Sequence, residues 1–325
     1  MNLSNETNNV LDAIKKHGHI RSSEIVKILN ISLKTVYKHL VKLLDEDLVV
    51  KTGSTPMVYY SIKTESKNSL MIFDKDDSLI NDNYIYVSPS GELSRGVAGF
   101  QDWCQKNKLE YEKEKKIFVE KFKTFNNLKK NGVVFAKKYI LSGKSKIYLD
   151  NIFFSDFYNI GHYGKTKLGQ LVYLGKTSQN KTIIKEIVKL VYPAVLNIIK
   201  KYDIKLICFI PPTMDRKIQF MEVFKKGLKL NLSEIIATKI PSLTKVPQKT
   251  LRKLEDRIDN ATKTIAINPS QEINGNVLII DDATGSGATL NETARKIKNI
   301  SKNDIKVIGY SVVGSYKGFD VISEV

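Results

Sequence analysis

The sequence predicts an α/β protein with a doubly wound parallel sheet in its C-terminal part, a small N-terminal domain and a mixed middle segment. In residues 181–325, apolar strands alternate with amphipathic helices, as in sheets that are covered on both faces. In residues 1–63, three short helical patterns precede two extended segments that a turn separates. A chain of 325 residues is long enough for several domains with cores of their own.

The domain boundaries follow from these patterns. Residues 1–63 form the helical domain, residues 64–180 a basic linker and middle segment, and residues 181–325 the α/β domain. In the last part, strands are expected at residues 205–210, 234–240, 264–267, 276–280 and 305–313. The aromatic residues Trp103 and Phe118 predict a helical element with a core in the middle segment.

The composition restricts the class of partner. There are 52 Lys and Arg residues against 34 Asp and Glu residues, a formal net charge of +18. Such a surplus favours nucleic acid, phosphates or an acidic membrane surface, unless the lysines only solvate the exterior. The polar N-terminus does not resemble a signal peptide, no apolar run is long enough to span a membrane, and Cys104 and Cys208 lack zinc-site spacing. We therefore expect a cytoplasmic protein that does not insert into membranes.

The most informative motif follows the predicted strand at residues 276–280. Four apolar residues end in Asp281 and Asp282, and a Gly-, Ser- and Thr-rich loop then leads into a helix. This loop consists of Ala283, Thr284, Gly285, Ser286, Gly287, Ala288 and Thr289. Ligands of α/β sheets bind at the carboxyl ends of strands, and a helix N-terminus offers backbone N–H groups to phosphate. Because carboxylates accept hydrogen bonds from a ribose diol, the motif predicts a site for a phosphorylated ribose.

This motif resembles the 5-phosphoribosyl-1-pyrophosphate (PRPP) motif of type I phosphoribosyltransferases. The resemblance implies that Asp281 and Asp282 hold the ribose hydroxyls, that residues 284–289 cradle the 5-phosphate, and that PRPP enters with Mg²⁺. One position departs from some members of the family. Purine-salvage enzymes place an Asp general base where this chain has Gly285, so the resemblance does not extend to their acid–base chemistry.

Three cationic residues are candidate catalytic residues. Arg216 closely follows the Pro211-Pro212-Thr213 turn, where a guanidinium can grip pyrophosphate, although Pro-Pro also forms plain turns. Lys239 and Arg257 lie further along the chain. The arrangement of Gln248 and Leu251, followed by Arg257, Asn260 and Ala261, resembles the ComF competence-protein family of the same fold. That resemblance implies a mobile loop that closes over the site.

The N-terminal domain resembles a winged helix-turn-helix. Its third helix would enter the major groove of duplex DNA, and the tip of the hairpin would contact the backbone. The candidate nucleic-acid contacts are Lys34, Thr35, Tyr37, Lys38, Lys42, Thr52 and Ser54. Winged helices also serve as protein-interaction modules. The basic run at residues 121–146 includes Phe122, Phe125 and Phe135, which either stack on unpaired bases or belong to a core.

Three functions agree with this domain order. The chain resembles phosphoribosyltransferase-like effectors of bacterial retron defence systems, whose partners would be a reverse transcriptase and its single-stranded DNA. It also resembles the purine operon repressor, a non-catalytic PRPP sensor that binds duplex DNA. A plain salvage enzyme is the third alternative, but it needs no large basic extension. Both resembled classes commonly dimerise, so a homo-oligomer is expected.

Overall fold

A computed structural model describes residues 4–18, 20–46, 48–54, 57–62, 74–137, 139–140, 146–240 and 254–316. The chain divides into two compact units, residues 1–72 and residues 73–325, called here the N-terminal and C-terminal units. The N-terminal unit contains α1 (Asn5–His17), α2 (Ser22–Leu29), α3 (Leu33–Asp45), β1 (Val49–Ser54) and β2 (Met57–Ile62). The three helices and the hairpin predicted for this part of the chain are therefore present.

The N-terminal unit has its own core. Val10, Ile14, Val36 and Leu40 are almost fully buried where the three helices meet the hairpin. The Ser32 hydroxyl accepts the Thr35 N–H at 3.1 Å and caps α3, as expected of a Ser before an amphipathic helix. Burial of this apolar surface stabilises three helices that are each too short to persist alone.

The middle of the chain begins with α4 (Lys75–Asn83), β3 (Ile85–Val87), β4 (Leu93–Arg95), α5 (Gly96–Lys106) and α6 (Tyr111–Asn127). Aromatic side chains form the core of this part. Phe118 is 1% exposed and packs against Tyr84, Phe100 and Tyr163, with ring centroids 5.1–5.4 Å apart. The prediction of a helical element with a core is confirmed.

The main sheet is mixed and has seven strands in the order β5-β6-β7-β13-β12-β8-β9. The remaining elements are β5 (Lys129–Lys130), β6 (Val133–Phe135), β7 (Asn151–Phe157), α7 (Lys167–Thr177), α8 (Lys181–Lys201), β8 (Ile204–Phe209), α9 (Phe220–Leu228), β9 (Ser233–Ile235), β10 (Ala237–Lys239), α10 (Leu254–Thr264), β11 (Ile265–Ile267), β12 (Asn276–Thr284), α11 (Ala288–Ile300) and β13 (Val307–Gly314). The five strands β7, β13, β12, β8 and β9 are parallel to one another. The strand β6 pairs antiparallel with both of its neighbours, β5 and β7. The α/β class is confirmed.

The prediction of a wholly parallel sheet built from residues 181–325 is wrong in two respects. First, β7 from the middle segment is a strand of the sheet and pairs with β13. Second, β5 and β6 form a tight hairpin at Asn131 and Gly132, whose φ angles of 54° and 77° are those of a two-residue turn. This hairpin reverses the chain at the edge of the sheet, and the edge is therefore antiparallel.

Two of the predicted strands, at residues 234–240 and 264–267, do not lie wholly in the main sheet. The segment at residues 234–240 divides into β9, in the main sheet, and β10, which pairs with β11 in a separate antiparallel ribbon. The chain leaves the sheet at Ile236, which is 58% exposed and donates its N–H to the Gln271 side chain at 3.1 Å. This departure carries β10 towards the carboxyl edge of the sheet.

Helices cover both faces of the main sheet. On one face, α7, α8 and α9 pack on alternate strand residues such as Ile207, Leu278 and Tyr310. On the other face, α11 packs on Val277 and Ile279. A strand buried on both faces is apolar at every position, which explains the four-residue apolar run of β12. None of the helices among the described residues is long and apolar enough to cross a bilayer.

Candidate functional site

A pocket opens at the carboxyl edge of the main sheet, where β8 and β12 end side by side. The Ile210 N–H donates to the Ile280 carbonyl at 2.9 Å, which holds the Pro211-Pro212-Thr213 turn beside Asp281. The pocket is lined by every residue from Asp281 to Thr289 and by residues of that turn. Parallel strands thus bring two loops, about seventy residues apart in the chain, to one place.

The loop after β12 ends at the N-terminus of α11. Gly287 is the cap residue of this helix and has a φ of 78°, a conformation that an L side chain rarely adopts. Gly287 itself has no side chain that could cap the helix. The Ala288 N–H contacts the Ser286 hydroxyl at 3.4 Å, so that the hydroxyl lies at the helix terminus. This N-terminus offers backbone N–H groups and the positive end of the helix dipole to an anion in the pocket.

Thr284 anchors the loop to the sheet. Its hydroxyl forms a buried hydrogen bond with the Ser311 hydroxyl of β13, and its carbonyl accepts the Ser315 N–H at 2.9 Å. The Thr284 hydroxyl is therefore engaged before any ligand arrives. Thr284 was expected to help cradle a phosphate, but its hydroxyl holds the loop on the sheet. The N-terminus of α11 is the part of the loop region that faces the pocket.

The two acidic residues have different surroundings. An Asp281 carboxylate oxygen accepts the Asp282 N–H at 2.8 Å. The Lys176 ammonium contacts both carboxylate oxygens of Asp282, at 2.9 and 3.0 Å. The side chains of Lys176 and Asp282 are only 13% and 14% exposed, so that this ion pair is poorly screened by water.

The sequence patterns did not single out Lys176, because α7 belongs to the predicted middle segment. The helix begins where β7 ends, since the Thr166 hydroxyl donates to the Phe157 carbonyl at 2.6 Å and accepts the Gly169 N–H at 3.0 Å. It then follows the carboxyl edge of the sheet to Asp282. Lys176 reaches the pocket because α7 follows this path, which no local sequence motif predicts.

The three candidate catalytic residues all line the pocket. Arg216 donates to the Lys176 carbonyl. Lys239, on β10, donates to the Thr213 hydroxyl at 2.6 Å and so joins the ribbon to the Pro-Pro turn. Together with Lys176 and Arg257, they surround the acid pair with more positive than negative charge, which suits a ligand with several phosphates.

Arg257 is the most buried of these cations. It comes from α10, is 5% exposed, and has its pKa lowered by burial. A β-carbon placed on Gly285 would lie 3.4 Å from the Arg257 Nη1 atom, so the guanidinium lies against the loop. Gln248 and Leu251, which carry part of the ComF resemblance, lie outside the described residues.

The candidate nucleic-acid residues lie mostly on the surface of α3. Lys34, Tyr37, Lys38 and Lys42 are exposed, and Thr35 is half-buried beside Ser32. The same helix also exposes Leu33 and Val41, so that its surface is both basic and apolar. Thr52 and Ser54 lie in β1, and their side chains are outside the described part of the unit.

Most aromatic residues of the basic run pack inside the protein. Phe122 contacts Phe118, with ring centroids 6.1 Å apart, and Phe125 contacts Phe157 at 5.2 Å. Phe135 is 48% exposed but its edge meets Phe153. For Phe122 and Phe125, the structure therefore favours the core alternative over base stacking.

Comparison with protein-family models found no match for this chain, and comparison with curated protein sequences found no significant one.

Proposed function

We propose that the pocket binds PRPP, or a closely related phosphoribosyl compound, and that the chain is a phosphoribosyltransferase-like protein. One observation carries the proposal: Asp281 and Asp282 line the same pocket as the N-terminus of α11. An anion and a diol that lie a few ångströms apart match these two kinds of group.

The proposed orientation of the ligand follows from charge. The 5-phosphate accepts hydrogen bonds from the N–H groups at the start of α11, and the ribose hydroxyls donate to Asp281 and Asp282. The pyrophosphate then extends towards Arg216 and Lys239, which line the pocket beside the Pro-Pro turn. Guanidinium and ammonium groups are the side chains that bind phosphate oxygens most strongly.

Mg²⁺ is proposed to enter with the ligand. Among the described residues, no cluster of three or more His, Cys, Asp or Glu side chains is arranged to hold a metal ion. Mg²⁺ is commonly bound by one or two carboxylates together with phosphate oxygens and water. Asp281 fits that role, since its carboxylate lies in the pocket.

The proposal concerns the binding of PRPP and does not include general-base catalysis of its turnover. Gly285 provides no side chain that could act as a general base, and the nearest cation, Arg257, can only stabilise negative charge. Glycosyl transfer or PRPP turnover would therefore depend on electrostatic stabilisation of the departing pyrophosphate by the cations of the pocket.

The proposed setting is a bacterial retron-type anti-phage system, with a reverse transcriptase and its single-stranded DNA as partners in the cytoplasm. The net charge of +18 and the exposed lysines of α3 support a nucleic-acid partner. The alternative is a PRPP-sensing transcription regulator, which Gly285 favours because such a sensor needs no base. A reverse-transcriptase gene beside this one would support the first setting, and purine genes the second.

Calorimetric titration of the full chain with PRPP and Mg²⁺ tests the binding proposal. We expect saturable binding of PRPP, weaker binding of ribose 5-phosphate or pyrophosphate alone, and loss of PRPP binding in the Asp281→Asn variant. Absence of a binding signal for PRPP and for nucleotides would refute the proposal. Phosphorus NMR of the same mixture then separates the two settings, because an effector that turns PRPP over releases pyrophosphate and a sensor does not.

The Gly285→Asp variant is expected to bind PRPP about tenfold or more weakly than the parent chain. Its carboxylate would lie beside Arg257, neutralise that cation and repel the phosphate. The matched control is Gly285→Ala, whose β-carbon finds ordinary contact distances and should leave the affinity within about twofold. Equal affinities of the two variants, measured by calorimetry, would show that Arg257 does not contribute to binding.

A further inference from the structure

The second notable cavity of the C-terminal unit is a basic groove between α8 and α9. Six lysines line it, and all six are exposed: Lys181, Lys185, Lys189, Lys217, Lys226 and Lys229. The acidic residue in its lining is Glu222. Among the described residues, none of these lysines forms an ion pair with a carboxylate within 4 Å, so that their charges are available to a ligand.

The spacing of the lysines on α8 is regular. Lys181, Lys185 and Lys189 are four residues apart and therefore lie on one face of the helix, at intervals of about 6 Å. Lys226 of α9 and Lys229, the C-cap residue of that helix, line the same groove. Val188 and Val223 form an apolar floor between the two rows. Such a channel has the charge and the length for a chain of phosphates rather than for a single small anion.

We infer that this groove binds the sugar–phosphate backbone of single-stranded nucleic acid. Packed helices lie about 8–10 Å apart from axis to axis, so lysines of both helices can contact one strand from its two sides, whereas a duplex is too wide to lie between them. Its lining contains no aromatic ring, and recognition therefore rests on phosphates and is independent of base sequence. An acidic polypeptide would be a less suitable occupant, because its carboxylates are not held at a regular spacing.

The groove leads to the candidate phosphoribose pocket. Gln219 lines both cavities, and its side chain is held by a hydrogen bond to the Met214 carbonyl at 3.0 Å. A strand bound along α8 and α9 would therefore have one end at the mouth of the pocket. The groove itself needs no ligand in the pocket, so strand binding is measured without PRPP and does not depend on the proposed binding of phosphoribose.

Fluorescence anisotropy of the full chain with a labelled single-stranded oligonucleotide of mixed sequence tests the inference. The groove variant carries Lys185→Gln, Lys189→Gln and Lys226→Gln. We expect about tenfold or greater loss of affinity, and a decrease of about 2 in the slope of log affinity against log salt, since three phosphate contacts disappear. The matched control carries Lys106→Gln, Lys302→Gln and Lys306→Gln, three exposed lysines elsewhere in the unit, and should bind within about twofold of the parent.

The competing occupants are tested with the same variants. A duplex of the same sequence and a polyglutamate chain are expected to lose much less affinity in the groove variant than the single strand does. Unchanged single-strand affinity in the groove variant, or equal loss in the groove and control variants, would overturn the inference. Equal or greater loss for the duplex or for polyglutamate would overturn it as well, because the groove would then not select a single strand.

Discussion

The Asp282→Asn variant is expected to lose PRPP affinity by about a hundredfold and also to lose stability. The affinity falls because a neutral amide replaces a carboxylate that would accept charge-assisted hydrogen bonds from the ribose, which are worth about 1.5–3 kcal/mol each. The stability falls because the Lys176 ammonium, itself 13% exposed, loses its ion pair with the Asp282 carboxylate. Breaking a buried ion pair costs about 3–5 kcal/mol, and we expect about 2 kcal/mol here since both groups keep some contact with water.

The two effects can be separated by adding Lys176→Met. The double variant removes both charges of this ion pair, and its stability should return to within about 1 kcal/mol of the parent. Its PRPP affinity should stay low, because the ribose acceptor is still missing. Urea unfolding followed by the fluorescence of Trp103, the chain's single tryptophan, measures stability, and calorimetry measures binding. A double variant that regains PRPP affinity would show that Asp282 does not contact the ligand.

The part of the site that the sequence predicted in most detail is built from contiguous chain. The apolar strand, the acid pair and the loop from Ala283 to Thr289 occupy consecutive positions of β12 and the start of α11. Local sequence patterns suffice to predict this part because the strand, the loop and the helix follow one another directly in the chain. The side-chain partners of this loop were not predictable in the same way, since Lys176 and Ser311 reach it from elements that are distant in the chain.

The fold of the middle segment was missed for a different reason. Asn131-Gly132 is a strong hairpin signal, and Ile152, Phe153 and Phe154 form an apolar run typical of a central strand. Both signals were present but lay within or beside the long lysine-rich stretch, for which nucleic-acid contact and a packed core were the two alternatives. Lys130 and Lys137 are exposed on elements whose apolar residues help to build the sheet, so charge alone was a poor guide to structure.

The basic groove could not be predicted from the sequence, although its lysines are plain in it. Lys181, Lys185 and Lys189 repeat at helical spacing, which predicts only the polar face of an amphipathic helix. Their meeting with Lys226 depends on the packing of α8 against α9 beneath them, where Val188 contacts the position of Gly227. A charged surface shared by two helices becomes visible only once the helices have been placed on the sheet.

The Gly314→Ala variant is expected to be the most destabilising small substitution in the sheet. Gly314 ends β13 and pairs with Phe157 of β7 and Thr284 of β12. An added β-carbon would lie 1.9–2.2 Å from ring atoms of Phe154, which is fully buried and has no free space to enter. Overpacking of a filled core costs about 1–3 kcal/mol, and at this distance we expect about 3 kcal/mol or more.

Gly309→Ala is the matched control, since Gly309 lies on the same buried strand. Its β-carbon would meet side-chain ends of Leu149 and Ile152 at 3.3–3.5 Å, which small movements relieve, so we expect a loss below about 1 kcal/mol. Combining Gly314→Ala with Phe154→Leu should recover part of the stability, because the smaller side chain vacates the ring position. Similar unfolding midpoints for the Gly314→Ala and Gly309→Ala variants would contradict this account. Since Thr284 pairs with Gly314, displacement of the strand end should also weaken PRPP binding, which ties the packing of the sheet to the geometry of the phosphate loop.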